Sequence, residues 1–238
     1  MKVALIGYGK MGHAIEEIAL ERGHEIVLKI GIENIEENTI ENIRRADVAI
    51  EFTGPEIAFD NIIRCIDAGV PVVSGSTGWL QRYDEAVKYC QEKNGALLYA
   101  SNFSIGVNIF FALNRKLAEL MAPHKEYDVH MKEIHHTAKK DAPSGTAITL
   151  AEDILKIFPG KKKWVNSESA DPGDLVILSE RVDPAPGTHV ITYTSDIDDI
   201  EITHTAHNRK GFAAGAVLAA EFLKGKHGIY NMRDVLNI

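Results

Sequence analysis

The sequence has little cysteine, no excess of positive charge and no long hydrophobic run. Its two cysteines, Cys65 and Cys90, cannot build a disulfide framework or a cysteine-based zinc site, and this scarcity suits a reducing cytoplasm. Lys and Arg number 26 against 34 Asp and Glu, a net charge of -8, so no positive field exists to bind a nucleic-acid backbone. No apolar run approaches the roughly 18 residues of a membrane helix, and the first run ends at Gly7, too early for a secretory signal. We therefore expect a cytoplasmic protein that binds neither nucleic acid nor membrane.

The length and composition fit an ordinary globular protein. The chain has 238 residues, of which 45% are hydrophobic and 25% are charged. At roughly 150 residues per domain, this length corresponds to one large or two small domains, each able to bury a core. These proportions exclude a disordered chain and a disulfide-stabilised miniprotein.

The first hundred residues alternate short apolar runs with amphipathic segments. The runs predict strands at 3–6, 26–30, 48–53, 70–74 and 96–100, and the segments between them predict helices that end near Gly23, Gly69 and Lys93. Runs without a polar face are typical of strands in a parallel sheet that is covered on both faces. The pattern predicts an α/β fold with a Rossmann-like, doubly wound parallel sheet.

Beyond about Gly106 the pattern changes. An apolar helix is predicted at 107–121, alternating segments follow at 127–132, 176–182, 189–194 and 200–205, and a last helix at 212–223 should pack on the first domain. Alternation is typical of a sheet with one solvated face, so we predict a second α+β domain with an open mixed or antiparallel sheet. We assign 1–106 and 209–238 to the first domain and 107–208 to the second. The charge run from Lys161 to Lys163 is interpreted as a solvated loop.

A glycine-rich loop follows the first predicted strand and opens the first helix. It reads G-x-G-x-x-G and consists of Gly7, Tyr8, Gly9, Lys10, Met11 and Gly12. In a dinucleotide-binding loop the first glycine permits the turn, the second lets backbone amides approach a pyrophosphate, and the third lets the helix pack near the strand. We predict a dinucleotide site here, with a ligand-free turn as the alternative. A kinase loop is excluded because the chain has no H-R-D or D-F-G motif.

Lys29 occupies the end of the second predicted strand. An NAD-binding domain usually has an acidic residue there, which accepts the ribose hydroxyls; here Glu33 follows only four residues later. A lysine instead pairs with the extra phosphate of NADP. We hypothesise that the protein uses NADPH, alone or alongside NADH; the alternative is that Lys29 is a solvated strand-end residue.

Two further loops follow strands of the same predicted sheet. They contain Gly75, Ser76 and Thr77 after the fourth strand, and Ser101, Asn102 and Phe103 after the fifth. Open α/β sheets bind ligands at the carboxyl ends of their strands, so these residues are candidates to line the nicotinamide ribose. The alternative is that they form ordinary turns.

A basic stretch in the second half is the most informative part of the chain. Residues 133–147 read E-I-H-H-T-A-K-K-D-A-P-S-G-T-A, with two histidines and two lysines in a chain of negative charge, which predicts an anionic ligand. Ser144 is a natural N-cap for the helix that follows, so the amides of Gly145 and Thr146 are expected to be free to bind a carboxylate or phosphate. Histidine adds a proton donor near neutral pH, and lysine adds a fixed charge or a second acid. The alternative is a surface strand end followed by an ordinary cap.

No metal site is predicted. His204 and His207 lie three residues apart, a spacing that places the two rings on opposite faces of a strand, and no cysteine lies nearby to complete a zinc site.

The sequence resembles the 4-hydroxy-tetrahydrodipicolinate reductases, a family also called dihydrodipicolinate reductases, over nearly its whole length. The most specific part is E-I-H-H-x-x-K-x-D-A-P-S-G-T-A at 133–147. Supporting pieces are the glycine loop with Met11 and the segments 51–53, 75–78, 101–108, 201–204 and 231–236.

This resemblance implies an NADPH- or NADH-dependent oxidoreductase of lysine and diaminopimelate biosynthesis. It would reduce 4-hydroxy-tetrahydrodipicolinate, a cyclic imine dicarboxylate, to tetrahydrodipicolinate with loss of water. The family analogy makes His135 a proton donor or acceptor and Lys139 a proton donor. The residues implied to hold the substrate are His136, Lys139, Ser144, Gly145 and Thr146.

The resemblance also implies the assembly and the rest of the cofactor site. Phe52, Thr53, Arg209 and Phe212 join the loops above as candidate cofactor contacts. The first domain would bind the dinucleotide, and the second would bind the substrate and join the subunits of a homotetramer through its sheet. Two alternatives are another Rossmann dehydrogenase of imines or amino acids, and a dinucleotide sensor without turnover.

Overall fold

The computed structural model describes residues 1–208 and 210–238, which fold as two compact units. The first joins Met1–Ile105 to Lys210–Ile238, and the second comprises the intervening chain. The strands are β1 Lys2–Ile6, β2 Glu25–Ile30, β3 Val48–Glu51, β4 Val72–Ser74, β5 Ala96–Tyr99, β6 Asp128–His135, β7 Lys163–Val165, β8 Asp174–Arg181, β9 Gly187–Thr194, β10 Asp199–Ala206 and β11 Gly228–Tyr230. The helices are α1 Lys10–Glu21, α2 Ile40–Ile43, α3 Ala58–Asp67, α4 Tyr83–Glu92, α5 Ile105–Met121, α6 Gly145–Ile157, α7 Lys210–Leu223 and α8 Met232–Leu236. Short 3-10 turns lie at Ile32–Glu37 and Leu80–Arg82.

The first unit is built on a parallel sheet of six strands. Their order is β11-β5-β4-β3-β1-β2, and every neighbouring pair is parallel. Helices α3 and α4 cover one face through residues such as Ile62 and Cys90, and α1 and α7 cover the other through residues such as Ile15 and Ala216. Central strands are therefore buried on both sides, which explains their largely apolar sequences. The predicted Rossmann-like fold is confirmed, and α7 packs on this unit as expected.

The second unit contains a mixed sheet of five strands in the order β10-β9-β6-β8-β7. Strand β9 is antiparallel to β10 and β6, whereas β8 is parallel to β6 and β7. Helices α5 and α6 bury one face of the sheet, with Phe110, Leu150 and Ile154 packed over Met131 and Tyr193. The predicted mixed sheet is confirmed. Strand β6 runs three residues beyond its predicted end, and its alternation brings Glu133 and His135 onto the buried face.

The interpretation of the charge run as a solvated loop is wrong for two of its residues. Only 3% of the Lys161 side chain is exposed, and its ammonium lies 2.6 Å from a carboxylate oxygen of Asp128. It also donates hydrogen bonds to the carbonyl oxygens of Pro172 and Asp174. These oxygens replace the lost water, so a buried lysine is tolerated. Lys163 is the first residue of β7 and not part of a loop.

Two further findings concern cysteine and membranes. Cys65 and Cys90 are both free and buried. Across the described residues, we find no helix with the length and apolarity needed to cross a bilayer.

Candidate active site

The glycine loop turns the chain from β1 into α1 with almost no space to spare. Gly7 has a φ of +101°, and a Cβ atom there would lie 2.1 Å from the carbonyl oxygen of Phe52. A Cβ on Gly12 would lie 2.5 Å from the carbonyl oxygen of Gly7, so the absence of a side chain lets α1 approach the loop. Among the described residues, no atom lies within 4 Å of a Cβ added at Gly9. Gly9 is also the N-cap of α1 and has no side-chain oxygen, so the first amides of this helix are left for a ligand.

Two cavities adjoin this loop. Among the predicted cofactor residues, the larger cavity, of about 990 Å³, is lined by Gly7, Tyr8, Gly9, Lys29, Phe52 and Thr53, and Glu33 also lines it. The smaller, of about 460 Å³, is lined by Gly9, Lys10, Met11, Phe52, Thr53, Gly75, Ser76 and Thr77. The loops after β1, β3 and β4 therefore meet at one edge of the sheet, and an extended ligand has room beside them.

Lys29 lines the larger cavity but already has a partner. Its ammonium lies 2.7 Å from one carboxylate oxygen of Glu16, and the Tyr8 hydroxyl donates a hydrogen bond to the other oxygen. Hydrogen bonding to Lys29 and Tyr8 lowers the pKa of Glu16, and hydrogen bonding to Glu16 raises the pKa of Lys29. Lys29 thus places an ammonium at the cavity wall, and the carboxylate of Glu16 on α1 balances its charge.

A buried carboxylate organises the ends of β3 and β4. Glu51 is fully buried, and its oxygens accept hydrogen bonds from the hydroxyls of Ser74 at 2.6 Å and Ser76 at 2.8 Å and from the Thr53 amide at 2.9 Å. The sequence indicated Thr53 and Ser76 as cofactor residues but gave Glu51 no role. Glu51 fixes the loops that carry them.

The other predicted cofactor residues are placed differently. In the described part of the chain, neither cavity is lined by Ser101, Asn102, Phe103 or Phe212. Phe103 is buried, with its ring centroid 5.6 Å from that of Phe52, so it supports the cavity wall from behind. Gly12 likewise lies beneath the loop. Arg209 lies outside the described residues.

In the second unit, the basic stretch begins on β6 and ends on α6. Strand β6 carries Glu133 and ends at His135, and His136 is the first residue of the loop that follows. Ser144 is the N-cap of α6, and its hydroxyl accepts a hydrogen bond from the amide of Ala147 at 3.2 Å. The predicted cap is confirmed, and the amides of Gly145 and Thr146 belong to the first turn of the helix.

Glu133 is the centre of this region. Both of its carboxylate oxygens lie 3.1 Å from the amide of Ser144, which donates to them, and the Ser179 hydroxyl donates to one oxygen at 2.7 Å. The Arg181 guanidinium lies 3.4 Å away. Burial alone would raise the pKa of Glu133, but hydrogen bonds from Ser144 and Ser179 outweigh it and hold this pKa below its usual range. The carboxylate is therefore ionised at neutral pH.

Two buried histidines face this carboxylate. His135 Nδ1 lies 3.4 Å from one oxygen of Glu133, and the His189 ring packs edge-on against that of His135 with 5.2 Å between centroids. Burial lowers the pKa of His135, although the charge of Glu133 opposes that shift. Burial also lowers the pKa of His189 to about 4, so this ring is neutral at neutral pH. His189 Nε2 lies 3.1 Å from the Ser144 hydroxyl.

Lys139 lies in the loop between β6 and α6. Its ammonium is 2.7 Å from a carboxylate oxygen of Asp141, and its side chain is 22% exposed. Its amide donates to the carbonyl of His136 at 3.1 Å, which closes a turn. The Arg181 guanidinium donates to the Asp141 carbonyl at 2.6 Å and ties the loop to β8. The loop thus presents a cation held by an exposed carboxylate.

Ligand atoms of Glu133, His135 and His189 lie within 4.8 Å of one another, a spacing compatible with a metal ion. From the sequence we discussed only His204 and His207 as possible metal ligands. In the structure His204 lies on β10 and His207 follows that strand. The carboxylate oxygens of Glu133 are already taken by hydrogen bonds, and the Arg181 guanidinium next to them repels a dication. The donor set therefore favours a hydrogen-bonded carboxylate over a metal centre.

Comparisons with known proteins cover the whole chain. Residues 1–103 match the family model described as dihydrodipicolinate reductase, N-terminus, and residues 106–236 match that described as dihydrodipicolinate reductase, C-terminus. The 4-hydroxy-tetrahydrodipicolinate reductase of Christiangramia forsetii is 52% identical over 239 residues, which cover 100% of this chain and 98% of that protein. The enzyme of the same name from Neisseria gonorrhoeae is 34% identical over 94% of this chain and 84% of that protein.

Solved structures agree in fold. The dipicolinate-bound dihydrodipicolinate reductase of Paenisporosarcina sp. TG-14 has a TM-score of 0.77 and 22% identity, and the match covers 97% of each chain. A probable dehydrogenase of Thermotoga maritima has a TM-score of 0.58 and 11% identity over 99% of this chain and 92% of that one. At these identities the likeness shows the fold alone.

Proposed function

The chain belongs to the dihydrodipicolinate reductase family, and we propose that it reduces 4-hydroxy-tetrahydrodipicolinate to tetrahydrodipicolinate, with loss of water, at the expense of NADPH or NADH. The observation that carries the proposal is the basic stretch from the end of β6 to the start of α6, which places two imidazoles, an ammonium and a helix N-terminus in one short segment. A dianionic imine requires this combination, because its carboxylates need cations and amide donors and its reduction needs a proton.

The substrate carboxylates are assigned to the start of α6 and to the loop before it. The amides of Gly145 and Thr146 point out of the first turn of the helix, where the helix dipole favours an anion. Lys139, His136 and the Ser144 cap complete the candidate set. Dipicolinate, the ligand named for the Paenisporosarcina enzyme, is a planar dicarboxylate of this class.

The dinucleotide is assigned to the cavities beside the glycine loop. The residues fit a dinucleotide. Gly7 and Gly12 leave no space for side chains, the absence of a side chain at Gly9 leaves room beside the loop, and the amides at the start of α1 are available to bind the pyrophosphate. When bound, the reduced nicotinamide supplies the hydride. Phe52, Thr53 and Ser76 form the wall on the side of β3 and β4. Ser101, Asn102, Phe212 and Arg209 remain candidate contacts.

The proton donors are assigned to His135, at the end of β6, and to Lys139, in the loop that follows. His135 is buried, and a lowered pKa makes it a ready proton donor once it is charged. Lys139 supplies a second proton donor and a positive charge beside the substrate. Asp141, now paired with Lys139, is exposed and is easily displaced by a substrate carboxylate.

NADPH is the cofactor that Lys29 favours, because an ammonium on the cavity wall pairs with the additional phosphate. Glu33, on the same cavity, is the acceptor available to the ribose hydroxyls of NADH. We therefore propose that both cofactors are used. By family analogy we also propose a cytoplasmic homotetramer joined through the sheet of the second unit.

Turnover with enzymatically generated substrate tests this function. Oxidation of NADPH and of NADH is followed for the wild type and for His135→Ala, Lys139→Ala and Lys140→Ala, the last being an exposed neighbour that serves as control. We expect rapid wild-type turnover, a loss of about 100-fold or more in the first two variants, and near-normal turnover in the control. Tight nucleotide binding without wild-type turnover would exclude the reductase and favour a dinucleotide sensor.

A further inference from the structure

We propose that Glu133 is a positioning residue, whose single buried carboxylate fixes the N-terminus of α6 and places a negative charge beside the His135 imidazole. The proposal deepens the proposed function, because it assigns Glu133 to the same site. The sequence motif contains this glutamate, but its partners lie on three other elements, so the sequence could not identify the groups on which it acts.

The charge of Glu133 lies on the apolar face of a strand. Glu133 follows Val129 and Met131 on the buried face of β6, and all three side chains are almost completely inaccessible. An ionised carboxylate on an apolar face is costly unless every lone pair is satisfied. An apolar residue would continue the pattern of the strand without that cost. The charge therefore needs a reason beyond packing.

Glu133 also contacts the N-terminus of α6. Both oxygens of Glu133 accept the Ser144 amide at 3.1 Å, and this amide belongs to the residue that caps the helix. The Ser144 hydroxyl is held from the other side by His189 Nε2 at 3.1 Å. The cap is thus fixed through its backbone and its side chain. The directions of the Gly145 and Thr146 amides, which follow the cap, depend on these two contacts.

Charged groups from several elements surround His135. Glu133 on β6 and Asp141 in the following loop favour the imidazolium, whereas Arg181 on β8 and Lys139 oppose it. On β9 the His189 ring contacts His135 and is neutral at neutral pH. Glu133 has the largest favourable effect, at 3.4 Å from Nδ1, and so keeps His135 able to take up a proton despite its burial.

The test compares Glu133→Gln with Glu180→Gln. Gln keeps the shape of the buried side chain but removes its charge, and Glu180 lies on β8 in a half-exposed pair with Lys132, outside the site. The His135 ring is titrated by NMR in protein with isotope-labelled histidine, its signal being identified by its loss in His135→Ala. We expect the pKa of His135 to fall by about 1 unit in Glu133→Gln and to stay unchanged in Glu180→Gln.

A second measurement addresses the helix. Calorimetric titration with dipicolinate should show affinity weakened about tenfold or more in Glu133→Gln but not in Glu180→Gln. In turnover assays of Glu133→Gln, KM should rise and kcat should fall. The pH profile of kcat should shift in the same direction as the His135 titration. Glu133→Asp keeps the charge, so the pKa of His135 in this variant should stay near its wild-type value. This comparison remains possible even if the Gln variant is too unstable to titrate.

The outcomes separate the two proposals. An unchanged His135 titration in Glu133→Gln, or a pKa in Glu133→Asp that follows the Gln variant, overturns the role toward the histidine. Unchanged dipicolinate affinity overturns the role toward α6. Absence of wild-type turnover contradicts the reductase assignment, but it leaves the NMR titration to decide whether Glu133 controls His135.

Discussion

The Glu51 carboxylate accepts a hydrogen bond of 2.8 Å from the Ser76 hydroxyl, and this contact joins the loops that follow two neighbouring parallel strands. The Thr53 amide also donates to Ser76 Oγ at 2.8 Å, so three groups share one small network. Glu51 thereby holds loops of the first unit together, as Glu133 holds the start of α6 against β6 in the second unit. In both units a buried carboxylate near a strand end accepts hydrogen bonds from a backbone amide and from hydroxyls of a neighbouring strand or loop.

Replacement of Glu51 by Gln should destabilise the first unit and weaken nucleotide binding. The amide nitrogen of Gln would face donors of Ser74, Ser76 or Thr53, leaving at least one buried group unsatisfied at a cost of about 2 kcal/mol. Urea unfolding measures the stability, and a fluorescence titration measures the Kd for NADPH. Glu56→Gln, at an exposed position in the next loop, is the control. Equal stability and equal Kd in the two variants would contradict the role given to Glu51.

Gly12→Ala should lower folding stability, whereas Gly9→Ala should weaken NADPH binding. At Gly12 the new methyl group meets the Gly7 carbonyl at 2.5 Å, so we expect a loss of about 2 kcal/mol or more in folding stability, with or without nucleotide. At Gly9 the methyl group meets no atom of the described residues within 4 Å, so stability should be retained while the Kd for NADPH rises at least tenfold. Thermal unfolding and nucleotide titration of both variants check this. Normal NADPH affinity in Gly9→Ala would move the pyrophosphate away from the loop.

The sequence predicted those features whose determinants are local. The run from Val3 to Ile6 predicted β1, and the glycine spacing predicted the turn into α1, because burial on both faces and close packing leave direct traces in the residues concerned. Strand β11 was missed because its three residues have no periodicity and are held in place by pairing with β5. Helix α8 was also not predicted.

Features that depend on distant partners could not be predicted. The burial of Lys161 depends on Asp128 and on carbonyls at 172 and 174, which the fold brings to it. The role of Glu133 depends on Ser179, Arg181 and His189, which lie 46 or more residues away. One signal was present in the sequence: continuing the alternation of Val129 and Met131 puts a glutamate on the apolar face of a strand. A charge in that position indicates a buried network.

Lys29 and Glu16 should together set the preference between NADPH and NADH. Lys29→Ala removes the ammonium from the cavity wall and should raise the KM for NADPH about tenfold with little change for NADH. Glu16→Gln removes the carboxylate that balances Lys29 at 2.7 Å, so it should lower the KM for NADPH. Glu17→Gln, whose exposed carboxylate pairs with Lys210 instead, is the control. If Lys29→Ala left both Michaelis constants unchanged, the additional phosphate would have to bind elsewhere.

Buried His189 should make the protein less stable as the pH falls below about 6.5. Its pKa is lowered from 6.5 to about 4 in the folded protein, so between these values the unfolded chain binds a proton that the folded chain does not. Folding stability from this group is fully present above pH 6.5 and declines toward pH 4, by about 2 kcal/mol on reaching about pH 5. Urea unfolding at a series of pH values should show this decline in the wild type and in His207→Gln, an exposed control. His189→Gln should have a flatter profile over the same range, and a profile parallel to that of the wild type would show that another group takes up the proton.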